Sequence, residues 1–214
     1  MGASESGELI AGSGFMISTL DSPPGRLLAG QIAQLVYSAE FPIYKRVLHI
    51  EDVVKLVRCP FGIYSFATVK TVFDASGQLV AILNTRLLTC GSSILTQLRR
   101  DARYLGVPAL LRVIARSIWY RTKIYGSLEG DGSWHIEHLA VCPTLQGQGV
   151  GRALLKYAEE EAKTASAPTM TLEVLSSNVG AKRLYERQGF VAAPPEPPSR
   201  FWRQEASQYM IKEL

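Results

Sequence analysis

Three glycines on alternate positions, Gly147, Gly149 and Gly151, stand between an apolar run and a helical one in VCPTLQGQGVGRALLKYAEEEA, Val141 to Ala162. Glycine weakens helix and strand interiors alike, so this junction needs backbone freedom or close approach to something. A P-loop ends in Gly-Lys-Ser/Thr, whereas Gly151 is followed by Arg152 and Ala153. The dinucleotide fingerprint needs a glycine or alanine three residues after its second glycine; Arg152 or Leu154 occupies that place. A plain strand-to-helix turn rarely requires three glycines. A helix N-terminus carries unpaired N–H groups and partial positive charge, and glycines let a phosphate reach them. Gln146 and Arg152 add donors at the rim, so the loop reads as a pyrophosphate cradle.

Around this junction the chain alternates strands and helices. Phe15–Leu20 is a strand candidate, and Pro23-Pro24 lead into a helix predicted to bury Leu27, Leu28, Ile32, Leu35 and Val36. Ile50–Arg58 reads as a second helix, with Val53, Val54 and Val57 on one face. Two β-rich runs, Ser65–Phe73 and Leu79–Arg86, flank Asp74-Ala75-Ser76-Gly77 and predict a hairpin. The pattern continues with a strand over Trp134–Cys142, a helix over Gly149–Thr164 and a strand over Met170–Leu175. A helix over Val179–Gln188, ended by Gly189, precedes a stiff Pro194–Pro198 loop and a last strand over Gln208–Leu214.

Between 88 and 130 lies an insert with two helical patterns, Ile94–Tyr104 and Ala109–Tyr120. From Ser92 to Gly126 it holds seven basic residues against Asp101, a net +6, which leaves −2 for the rest of a chain of net +4. We read it as an amphipathic pair over an acceptor cleft, with an acidic acceptor or an anionic membrane surface as the next reading. Nucleic-acid binding is disfavoured because no recognition module accompanies the arginines. Cys59, Cys90 and Cys142 are widely spaced and odd in number, which fits reduced thiols in a cytoplasmic protein. The N-terminus lacks the order of a secretory signal. The most apolar segment, Val107–Tyr120, is interrupted by Arg112 and Arg116, so no transmembrane span is expected. The three histidines lack a metal-ligand spacing, so no metal is expected either.

Gln146-x-x-Gly149-x-Gly151, preceded by Leu139-Ala140-Val141-x-Pro143, resembles the acyl-CoA motif of the GNAT N-acyltransferase superfamily. Asn178-x-x-Ala181-x-x-Leu184-Tyr185-x-x-x-Gly189-Phe190 is similar to that family's later motif. The resemblance is firm from Trp134 to Phe190 and absent for the basic insert. It implies an α/β (α+β mixed) fold: a single domain over 1–214, a central mixed sheet flanked by helices, and the helical insert between the third and fourth predicted strands. It also implies that the strands Trp134–Cys142 and Met170–Leu175 splay apart. Acetyl-CoA would serve as co-substrate, its pantetheine arm along Leu139, Ala140 and Val141 and its pyrophosphate on Gln146, Gly147, Gln148, Gly149, Val150, Gly151 and Arg152. Asn178, Ala181 and Tyr185 would approach from the other side, with Tyr185 protonating the leaving thiolate.

The partner would be an amine, small or on a protein. A lysine-like amine is neutral in only about 1 molecule in 2,500 at pH 7, so a proton acceptor is useful. Alternation along Trp134–Val141 predicts His135, Glu137, Leu139 and Val141 on one face, and His138 on the other unless a bulge intervenes. Glu137 acting through water is the first candidate base, followed by His135 and then His138. A homodimer is allowed for. A non-catalytic acyl-CoA sensor and a basic nucleic-acid module are the alternative functions.

Overall fold

The predicted hairpin forms because Asp74 caps its own turn. Its carboxylate accepts from the Ser76 and Gln78 backbone N–H groups at 2.9 and 3.0 Å, and Gly77 takes a positive φ of 79°. In the computed structural model, residues 7–9, 15–39, 49–59, 65–88, 131–193 and 207–214 are described, with isolated positions between 106 and 115. The hairpin strands are β3 (Val69–Phe73) and β4 (Leu79–Leu87). They follow β1 (Gly7–Leu9), β2 (Met16–Ser18), α1 (Arg26–Ala39) and α2 (Ile50–Val57). After them come β5 (Trp134–Val141), α3 (Val150–Thr164), β6 (Thr169–Leu175), α4 (Val179–Arg187), β7 (Val191–Ala192) and β8 (Ser207–Glu213). The basic insert, between β4 and β5, and the Pro194–Pro198 loop lie outside the described residues apart from those isolated positions.

All these strands join one sheet in the order β1-β2-β3-β4-β5-β6-β8-β7. Every pairing is antiparallel except β5 with β6. The sheet is therefore mixed, as expected. One core lies between it and α3, built on Leu154, Leu155, Ala158, Met170, Leu172 and Met210. The second lies between it and α1 and α2, with Ala29, Ile32, Ala33, Val36, Val53 and Val57. On α1 the buried stripe is 29-32-33-36, so Leu27, predicted to be inside, falls off it and is 81% exposed. Val54 is only half-buried, its place taken by Leu56.

Among the described residues, α3 thus covers one face and α1 and α2 the other, and one buried polar group ties the layers together. Lys70 of β3 donates to Thr85 of β4 at 2.7 Å and reaches Glu161 of α3 at 3.0 Å. Among the described residues no helix is long and apolar enough to cross a membrane.

Candidate functional site

β5 and β6 pair only at Trp134–Ile136 with Met170–Leu172, while β6 stays bonded to β8 through Leu175. Beyond Ile136 the two parallel strands part, which is the splay that the family resemblance implies. The opening continues into a cleft of about 950 Å³ that runs from the end of α1, through β5 and β6, to α3 and α4. Its far wall is the glycine loop. A short 3-10 turn, Pro143–Leu145, leads into it, and the Gln146 side chain donates to the Val141 carbonyl at 3.1 Å.

The three glycines do different work. Gly147 and Gly149 have φ of 78° and 88°, left-handed values that side-chain-bearing residues adopt at a cost. Gly149 is the N-cap of α3, and its carbonyl accepts the first helical bond from Ala153 at 3.0 Å. The leading N–H groups of the helix have no partner within it, and Gly149, Gly151 and Arg152 line the cleft. Gly151 is already helical, but a Cβ there would lie 3.1 Å from the Leu184 side chain. Its smallness lets α4 close against α3. Gln148 and Val150, assigned to the cofactor from sequence, do not line the cleft: Gln148 turns back to the Thr144 carbonyl at 2.9 Å, and Val150 is buried in the core.

Asn178 caps α4, its side-chain oxygen accepting from Ala181 N–H at 3.1 Å, and both residues line the cleft. Tyr185 is buried edge-on against Phe190, ring centroids 5.9 Å apart, and it too borders the cleft. Its hydroxyl makes no hydrogen bond to another described residue. Burial pushes the phenol up to about 12, so it keeps its proton throughout the working range of an enzyme.

The opposite wall departs from simple alternation. Asn84 pairs with His138 but Thr85 pairs with Ile136, leaving Glu137 as the extra residue of a bulge. Trp134, Ile136, Leu139 and Val141 consequently pack on the α3 core, while Ala140 is buried against α1 and α2. His135 and Glu137 therefore do not share a face with Leu139 and Val141. His135 is level with Arg86 of β4 and Thr171 of β6, and residues in such cross-strand positions share a face. Glu137 forms an ion pair with Arg86, so the bulge turns it to that same side.

The electrostatics separate the candidate bases. Burial pushes the His135 imidazole down against the pull of Glu137, and its Nδ1 lies 2.9 Å from the Thr171 hydroxyl. Burial alone would raise the Glu137 carboxyl, but the Arg86 guanidinium, aided by His135 and His138, holds it below the usual carboxylate range. Glu137 and His138 line the cleft together with His135. Sequence reasoning missed Arg86, Glu173 and Ser38 of the lining. Alternation on β6 could have found Glu173; nothing in the sequence marks Arg86 before the β4–β5 register is known.

Residues 109–190 match the family model described as Acetyltransferase (GNAT) family. The chain is 45% identical over 53 residues to [Ribosomal protein bS18]-alanine N-acetyltransferase of Escherichia coli (strain K12), covering 25% of this chain and 36% of that protein. The chain thus spans about a third of the length of the curated relatives it matches first. In three dimensions it resembles a GNAT-family acetyltransferase from Listeria monocytogenes 4b F2365, with 14% identity, 97% and 99% of the two chains covered, and a TM-score of 0.54. It also resembles a chain of the NatC complex bound to Gag peptide and CoA, with 15% identity, 94% and 98% covered, and a TM-score of 0.57. At these identities the structural likeness speaks for the fold alone.

Proposed function

We propose that the chain, whose residues 109–190 match the GNAT acetyltransferase family model, is an N-acetyltransferase moving an acetyl group from acetyl-CoA to a primary amine. The observation that carries this reading is one cleft lined at once by the glycine loop, by Tyr185 of α4 and by His135, Glu137 and His138 of β5. The loop from Gln146 to Arg152 would hold the pyrophosphate through the backbone N–H groups at the start of α3 and the Arg152 guanidinium. The parted edge of β5 at Leu139–Val141 would hold the pantetheine arm, lying where β6 has withdrawn.

Acetyl-CoA supplies an activated carbonyl; the chain's residues manage protons. Glu137, ionised at neutral pH, would take the ammonium proton of the acceptor through a water molecule. His135 and then His138 are the alternatives in that role. The freed amine attacks the thioester carbonyl carbon, a C–N bond forms, and the C–S bond breaks. Tyr185 would donate its hydroxyl proton to the departing sulfur, and the proton that the attacking nitrogen must still lose would return through water to the phenolate. The acceptor is approached from the α1 side, where Arg86, His135 and Glu137 sit, and the 1–214 chain would act as one domain with the insert as an addition to it.

Thermal denaturation tests the cofactor assignment. Acetyl-CoA at about 100 times its Kd should stabilise the fold by roughly 2.7 kcal/mol, while NAD at the same concentration should do far less. Equal shifts with both, or no shift with acetyl-CoA, would overturn the phosphate-loop assignment.

A further inference from the structure

Arg86 stands on β4, a strand the sequence motifs leave untouched, yet it reaches the candidate base. It sits opposite His135 in the β4–β5 register, and the bulge one residue further on delivers Glu137 to the same side. The two side chains form an ion pair on the cleft wall, with Glu137 at 8% and Arg86 at 26% side-chain exposure. A carboxylate this deeply withdrawn from water loses hydration that a nearby cation or hydrogen-bond donors must replace. From this geometry we infer that Arg86 is the positioning residue for Glu137, fixing its carboxylate on the acceptor side of the cleft and keeping it in the proton-accepting form. The inference rests on the reading of Glu137 as the base.

The surroundings leave Arg86 as the principal counter-charge. Among the described residues, the charged and titratable groups acting on Glu137 are Arg86 from β4 and His135 and His138 from β5 itself. From β6, Glu173 lines the same cleft, and a carboxyl group cannot serve as counter-charge to another. The end of α1 presents Ser38 and Ala39, which carry no charge. Burial pushes the His135 imidazole down, and Arg86 outweighs it among the charges acting on Glu137.

The sign of the effect follows from these groups. Burial favours the protonated carboxyl and Arg86 favours the carboxylate, so removing Arg86 leaves burial to prevail. The midpoint of Glu137 should then rise by about 1–3 pH units, the range an opposite charge at ion-pair distance controls. A ¹³C carboxyl NMR titration of the full chain measures it, the Glu137 signal being the one that Glu137→Gln removes.

Arg86→Met should raise the midpoint by that amount, and Arg86→Lys should restore most of the difference. Arg86→Gln, polar and uncharged, should behave as Arg86→Met does and serves should the methionine variant fail to fold. An unchanged midpoint in the uncharged variants would overturn the inference. The same titration distinguishes this from failure of the catalytic reading, because it needs no turnover. If Glu137→Gln turned over any amine at the wild-type rate, Glu137 would not be the base even with its midpoint controlled by Arg86.

Discussion

Gly149→Val is expected to weaken CoA binding by roughly 10²- to 10⁴-fold while leaving the fold in place. A Cβ at Gly149 would meet nothing within 4 Å, so no protein atom resists the side chain. The cost to the fold is the backbone itself: φ of 88° is unfavourable for any L-residue by roughly 1–2 kcal/mol, and more so for a β-branched one. The cost to binding is larger. Valine would stand in the concavity where the pyrophosphate approaches the N–H groups of α3, and each hydrogen bond to a charged group contributes about 1.5–3 kcal/mol. Losing two of them gives the stated range. Isothermal titration calorimetry with CoA, beside a melting curve, separates the two effects. Near-normal affinity would mean that Gly149 serves the turn alone. Gly151 is the poorer test, since its Cβ would press on Leu184 at 3.1 Å and disturb the packing of α4 as well.

Tyr185→Phe should lower kcat by roughly 10- to 1,000-fold, overlapping the usual contribution of a general acid. Phenylalanine keeps the ring and its edge contact with Phe190, and the hydroxyl has no described hydrogen-bond partner to lose. Melting temperature and CoA affinity should therefore change little, because the lost interaction belongs to the transition state. A phenol pushed up to about 12 also yields its proton reluctantly to a thiolate whose ordinary conjugate acid titrates at ~8.5. Donation should thus accompany C–S cleavage rather than precede it. The base side of the pH profile should show no loss near ~10, the ordinary phenol value. Steady-state kinetics decide among the roles: unchanged kcat makes Tyr185 a packing residue, and a raised KM for acetyl-CoA with kcat preserved makes it a cofactor contact.

Much of the fold was legible because its signals are local. The Asp74–Gly77 turn and the glycine loop declare themselves in a few residues. The parting of β5 and β6 came instead from the family resemblance, which the register supports. What escaped the sequence depends on partners distant along the chain. The bulge at Glu137 exists only as a mismatch between two strands some fifty residues apart, and a single extra residue there reverses which side chains share a face. Strict alternation therefore joined His135 and Glu137 to Leu139 and Val141, which the register separates. Lys70 is likewise opaque in sequence: a buried lysine in a strand makes sense only once Glu161 of α3 is known to sit 3.0 Å away. Three-residue β1 and two-residue β7 are too short to carry a period. Within the candidate site, the glycine loop, Asn178 and Tyr185 were readable from motifs and Glu173 from alternation on β6, whereas Arg86 reaches the cleft through sheet pairing alone.

The central claim, acetyl transfer to an amine, is tested most directly by turnover of acetyl-CoA against a broad panel of amines. The panel should include peptides with free N-termini, lysine-bearing peptides, polyamines and amino sugars. Release of free CoA thiol and mass-spectrometric detection of the acetylated amine are followed together. The account predicts at least one amine for which the two appear in equal amounts, with the rate depending on Tyr185. Tight, saturable CoA binding with no acetylated product from any amine would contradict it, and would leave the chain an acyl-CoA-binding protein without catalysis.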